Sequence, residues 1–143
     1  MRLLKAADFA GLQTLFQAFF ASIPHHWYSK NPIARFEGYY ASVFYAYFAA
    51  SGLTVHAEDV TNFGRIDLAV LLAERIYLFE FKVVELAGQS GALEQLMARG
   101  YADKYRAHGV PIHLVGVTFS RKTRNVLGLD IGAVPGIVAA PTA

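Results

Sequence analysis

Asp67 and, after 12 intervening residues, the triplet Glu80-Phe81-Lys82 are the residues of this 143-residue chain whose type and spacing could do chemistry. Residues 65–72 and 75–84 are near-continuous runs of β-branched, leucine and aromatic residues. That composition predicts two strands of a hairpin with both faces covered. Period-two alternation along the second strand puts Ile76, Leu78, Glu80, Lys82 and Val84 on one face. Glu and Lys are rarely buried unless they are paired or ligate something. With Ala73 and Glu74 at the tip, opposed positions sum to 147, and Asp67 faces Glu80 with Cβ atoms roughly 5 Å apart. Ala69 then faces Leu78, and Leu71 faces Ile76. Ala-Glu is a poor two-residue turn; a four-residue loop would keep this register and an odd loop would break it. Two carboxylates so close repel in a low dielectric, so positive charge must sit between them. Lys82 is one source, and a divalent cation with a taste for hard oxygen ligands, Mg or Mn, is the other.

Other residues point towards the same place. A second helix is predicted from an Asn31 cap and Pro32 at its first position to Ser51, with Gly52 as its stop. Its apolar arc holds Ile33, Phe36, Tyr40, Val43, Phe44, Tyr47 and Phe48, and Glu37 falls inside that arc. In a third helix, predicted from a Ser90 cap to Gly109, Gln95 lies among Ala92, Ala98 and Ala102. Glu37, Asp67, Glu80, Lys82 and Gln95 would then converge, which is the signature of a site. The plainer alternatives are an ion-pair cluster across the hairpin, a loop-capping Glu37 and a surface Gln95. Glu58, on a preceding strand over residues 53–60, is an outer carboxylate or simply a strand residue. Arg121, Lys122 and Arg124 form a basic turn that, near Arg99, Lys104 and Arg106, either meets a phosphate backbone or is only solvated. Tyr101 and Tyr105 read as helix-face packing, and the adjacent His25 and His26 cannot form a helical zinc pair.

The elements that must position these residues follow from periodicity. Asp8 caps a first helix carrying Leu12, Leu15, Phe16, Phe19, Phe20 and Ile23, which Pro24 ends. A fourth strand spans residues 111–119 and a weak fifth lies near residues 125–131. The order is α-α-β-β-β-α-β: one α/β domain over residues 1–131, followed by a loosely held tail over 132–143.

The run Gly64-Arg65-Ile66-Asp67 followed by Glu80-Phe81-Lys82 resembles the PD-(D/E)XK nuclease superfamily. More narrowly, "GRIDLAV…RIYLFEFK…ALEQL…GYADKY…HLVGVTFS" is similar to the nuclease-like domain often fused behind an AAA-ATPase-like module. The resemblance covers residues 23–125. It implies a restriction-endonuclease-like core, α-β-β-β-α-β, with a mixed central sheet flanked by helices and an extra N-terminal helix. It also implies Asp67 and Glu80 as metal ligands, with the Phe81 carbonyl and Glu37 as further ligands and Mg2+ or Mn2+ as the ion. Lys82 would orient the attacking water and Gln95 would stand beside the site. Ile66 replaces the proline of the family's name. The implied activity is metal-dependent phosphodiester hydrolysis, in DNA; the alternative is an inactive nuclease fold that binds DNA or a partner ATPase. Since the chain has no room for the fused module, the expectation is a reduced protein, a degenerate copy, or a subunit working with a separate AAA-type ATPase. A homodimer is a further expectation, because members often pair to cut two strands.

Composition bounds these readings. With 55% hydrophobic residues, a core is readily built and wholesale disorder is excluded. The net charge of +2 permits a nucleic-acid partner without demanding one. The absence of cysteine excludes disulfides, thiolate metal sites and a Cys nucleophile, and suits a cytoplasmic protein. Residues 38–57 contain no Lys, Arg, Asp or Glu, yet their tyrosines, serines and Gly52 argue for a buried helix and strand rather than a membrane span. Asp8, Gln13 and Gln17 break what a signal peptide would need as an apolar run. No P-loop, nucleophile elbow, HExxH or dinucleotide fingerprint occurs.

Overall fold

The computed structural model describes residues 2–23, 37–61, 64–85, 91, 93, 94, 97 and 101–134. Three helices come first: α1 (Arg2–Lys5), α2 (Phe9–Ala21) and α3 (Glu37–Ala50). Three strands follow, β1 (Thr54–Thr61), β2 (Gly64–Leu71) and β3 (Ile76–Val84), then a 3-10 helix (Tyr101–His108), β4 (Ile112–Ser120) and β5 (Asn125–Val134). The strands form one mixed sheet in the order β1-β2-β3-β4-β5. Only β3 and β4 run parallel; the other neighbours are antiparallel. The expected α/β architecture is present.

Local chemistry sets the helix ends. The Asp8 carboxylate accepts the Gly11 N–H at 2.8 Å, capping α2 as the sequence predicts. At the other end of α3, Gly52 takes φ +82°, which a side chain would resist. That turn lets Gly52 N–H reach the Ala49 carbonyl and Leu53 N–H reach that of Phe48, so two late carbonyls of the helix are satisfied. The start predicted for this helix at Asn31 and Pro32 lies outside the described residues.

The two faces of the sheet are covered unequally. Tyr77, Phe79 and Phe81 of β3, with Val115, Val117 and Phe119 of β4, pack under Phe16, Phe20, Tyr40, Phe44 and Phe48 from α2 and α3. Rings dominate this layer: Phe16 stacks on Phe44 at 3.7 Å between centroids, and Tyr40 on Phe119 at 4.0 Å. The other face holds a smaller cluster of Ala69, Ile76, Leu78, Ile112 and Leu114 under Ala102 and Tyr105 of the 3-10 helix. Both faces of β3 are therefore dry along its first half, as the continuous apolar run predicts.

Two expectations are corrected. Within the predicted third helix Leu93, Glu94 and Met97 are α-helical, but Tyr101–His108 is a 3-10 helix, ending at Gly109 with φ +69°. The fifth strand is not weak; it pairs with β4 along its length and runs to Val134, taking in residues 132–134. Its glycines and Asp130 lower its apparent strand character, and pairing overrides propensity. A bulge interrupts it, since Thr118 pairs with Gly128 and Phe119 with Val126, leaving Leu127 extra. β5 lies at the sheet edge, where Gln13 of α2 accepts the Leu129 N–H and Gln17 donates to the Val126 carbonyl. The same two glutamines break the apolar pattern of the N-terminal segment.

The far end of the sheet holds a titratable ring. His113 stacks on Tyr77 at 4.8 Å and meets the edge of Phe9 at 5.6 Å. Burial first, and then the Arg75 charge, hold its pKa below the ordinary histidine value. The folded state therefore prefers neutral His113, so its contribution is complete above about pH 6.5 and is lost as pH falls through the depressed value. Thermal melts from pH 7.5 to 5 should show a falling Tm in the wild type and a smaller fall in His113→Phe, which keeps the ring packing. Equal losses in both proteins would remove His113 as the cause.

Candidate active site

Glu80 begins where the smaller core ends. On that face β3 runs Ile76, Leu78, Glu80, Lys82, and the parallel register sets them beside Ile112, Leu114, Gly116 and Thr118 of β4. Cover from the 3-10 helix reaches the first two rows. Glu80 is nevertheless only 4% exposed. Its carboxylate Oε1 lies 4.0 Å from the Lys82 ammonium, which is partly open to solvent. Glu80, Thr118 and Ser120 are the buried polar side chains of the described residues; Glu80 stands midway along β3, and Thr118 and Ser120 at the carboxyl end of β4.

Asp67 arrives from β2 as the hairpin arithmetic predicts. The observed pairs Leu68–Phe79, Ala69–Leu78, Val70–Tyr77 and Leu71–Ile76 all sum to 147. The tip is Ala73-Glu74, closed by Leu72 N–H donating to the Arg75 carbonyl at 2.9 Å. The paired ladder stops at Leu68–Phe79, one step short of Asp67 and Glu80. There the Asp67 carboxylate takes over as acceptor, with Oδ2 receiving the Phe81 N–H at 2.9 Å. This main-chain dipole, not Lys82 alone, stabilises the second carboxylate. Phe81 thus meets Asp67 through its N–H.

The remaining predicted residues are placed less completely. Glu37 is the first residue of α3, and its side chain lies outside the described residues, as does Gln95. The first turns of α3 do border the site. Gly38, Ala41, Ser42 and Tyr45 line a cavity of about 210 Å3 together with Ala57, Leu68 and Asp67. Glu58 belongs to β1, where the pairs Ala57–Leu68 and Asp59–Ile66 place it level with Asp67. Among the described residues no three His, Cys, Asp or Glu side chains converge as a metal cluster.

The basic residues are separated. Arg106 pairs with Asp103 at 2.7 Å and Lys104 lies over the Tyr105 ring, both on the 3-10 helix that packs against the first half of β4. Arg121, Lys122 and Arg124 form the turn after the last residue of β4. There Arg121 pairs with Glu85 at 2.6 Å, a contact across 36 residues that sequence reading misses. Thr118 was readable, since Gly116, Thr118 and Ser120 alternate with apolar Val115, Val117 and Phe119. Tyr105 is buried in the smaller core, in keeping with a packing role.

Comparison with known proteins gives two findings. Residues 35–128, about two thirds of the chain, match the PD-(D/E)XK nuclease superfamily. The chain is also 68% identical, over 129 residues, to an Azotobacter chroococcum mcd 1 protein described as "Uncharacterized protein in vnfD 5'region". The match takes in 90% of this chain and 25% of that protein, so the chain spans about a quarter of the length of its relative.

The Asp67 hydrogen bond has a measurable consequence. Asp67→Ala strands the Phe81 N–H and should destabilise the metal-free protein by about 1–2 kcal/mol. Asp67→Asn keeps an oxygen acceptor and removes the charge opposing Glu80, so it should melt at or above the wild-type temperature. Urea or thermal unfolding in EDTA decides this; an Asn variant as unstable as the Ala variant would be the contrary result.

Proposed function

Because the chain belongs to the PD-(D/E)XK nuclease superfamily, we propose that it is a metal-dependent nuclease acting on DNA through Asp67, Glu80 and Lys82. The observation that carries this reading is one arrangement: a carboxylate fixed on the Phe81 N–H, level in register with a buried glutamate that lies 4.0 Å from a lysine. The donor set fits a hard divalent cation. Mg2+ is commonly held by one or two carboxylates, with water and substrate phosphate oxygens completing its shell. Asp67 and Glu80 would supply those carboxylates, and Glu37 and the Phe81 carbonyl are proposed as further ligands. When bound, the ion would polarise the phosphoryl oxygen and lower the pKa of water.

The chain's own residues do the rest. Asp67 is held rigidly by a main-chain hydrogen bond and Glu80 by burial in the sheet, so neither needs reorganisation during reaction. Lys82 keeps its ammonium at the solvent edge of the site, where it can contact a phosphate oxygen and balance charge that develops there. Gln95 is proposed to stand beside the site from the segment before the 3-10 helix. The β2–β3 pairing ends one step before Asp67 and Glu80, so both carboxylates stand just beyond its last pair. A separate AAA-type ATPase is proposed as a partner.

Two measurements test the reading. Titrating Mg2+ or Mn2+ should raise the wild-type Tm, with about 2.7 kcal/mol gained at a hundredfold excess over Kd. Asp67→Asn should abolish that shift; no shift in the wild type would leave the fold as a scaffold without a metal. Cleavage of plasmid and linear DNA should require the ion, stop with EDTA and fall at least a hundredfold in Asp67→Asn and Lys82→Ala, the order expected for losing a charge-stabilising group. Cleavage that survives either change sinks the assignment.

A further inference from the structure

Beyond Lys82, the carboxyl ends of β3 and β4 carry a second cationic feature that the proposed chemistry does not use. Arg121 and Lys122 open the turn after β4, and with Glu85 they line a hollow of about 160 Å3. The turn is held in shape. Arg121 N–H donates to the Val84 carbonyl at 2.8 Å, Arg124 N–H to that of Ser120 at 2.7 Å, and Thr123 N–H to the Ser120 hydroxyl at 3.1 Å. Arg124 takes φ +56° to close it. Two basic side chains are thus presented from a fixed frame rather than from a loose charge run.

We infer that Arg121 and Lys122 form a subsite for a flanking phosphate of the bound strand, with Glu85 as its built-in competitor. The inference rests on the nuclease reading and names how that site would hold its substrate. Register gives the spacing. Lys82 pairs with Thr118, so Arg121 lies three residues further along the strands, roughly 10 Å away at about 3.3 Å per residue. One strand of a duplex rises about 3.4 Å per nucleotide along its axis and its phosphates are further apart than that in space, so the subsite falls no more than about three phosphates from the one at Lys82. Guanidinium groups take phosphate in a bidentate manner, and nucleic-acid strands draw much of their affinity from such contacts. In the free protein, Glu85 occupies Arg121 at 2.6 Å, and both side chains are well exposed. A phosphate arriving there exchanges with the carboxylate. The pair keeps the guanidinium aimed while the strand is absent and opposes binding once it is present.

That competition makes a prediction opposite to ordinary loss of function. Binding of a short fluorescein-labelled DNA duplex is followed by anisotropy in EDTA over a range of KCl, using the full chain. Glu85→Gln should tighten binding about two- to fivefold, the size of one exposed ion pair. Glu74→Gln makes the same charge change at the β2–β3 tip, the opposite end of β3, and should leave the affinity unchanged. Lys122→Ala should weaken binding and reduce the salt slope by about one. Equal effects of Glu85→Gln and Glu74→Gln, or an unaltered slope in Lys122→Ala, would overturn the subsite while leaving the nuclease reading in place. A wild-type protein that binds no duplex even at low salt would overturn both.

Discussion

The hydrogen bond from the Phe81 main-chain N–H to the Asp67 carboxylate is what the candidate site depends on. In a continuous hairpin that N–H would be consumed by a strand carbonyl. Here a side chain takes it, so β2 can leave the ladder without orphaning a buried donor. The same bond compensates an acid placed level with a second acid. One contact therefore ends the pairing, fixes a carboxylate and tempers the repulsion that the sheet imposes on Asp67 and Glu80.

Unequal cover of the two faces explains why the site lies where it does. The α2–α3 face is a ring-packed layer that extends to Phe119 and anchors the full length of β3 and β4. Among the described residues the opposite face is covered by the 3-10 helix together with Leu93, and its buried cluster ends at Leu78 and Leu114. Beyond that limit Glu80 is buried, while the Lys82 ammonium stays partly open to solvent. The ring-packed face supplies the rigidity, which is how a strand can carry Glu80 and Lys82 without losing its place in the core.

The hairpin was legible because alternation over many residues and a single loop length leave one register, and the 147 sum holds at every described pair. The Asp8 cap and the Gly52 stop were legible because each is a local event decided within four residues. The 3-10 geometry of residues 101–108 was not, since its apolar spacing also satisfies an α-helix. β5 was underestimated because Gly128, Gly132 and Asp130 look unlike a strand, and only the partnership with β4 makes them one. The Arg121–Glu85 pair was illegible for a similar reason: a parallel register between β3 and β4 brings together residues that no local pattern connects. Glu37 and Gln95 remain readings of sequence periodicity and family resemblance.

The two glutamines of α2 have a consequence for the molecule in a crowded solution. An edge strand offers open main-chain groups to any other extended segment, and sheets left bare in this way recruit one another. On β5, Gln13 and Gln17 already occupy the Leu129 N–H and the Val126 carbonyl. An intruding strand must strip both amides before it can pair, and the bulge at Leu127 spoils the flat geometry it would need. The residues that interrupt the apolar run of the N-terminal segment thus also engage main-chain groups that an intruding strand would need.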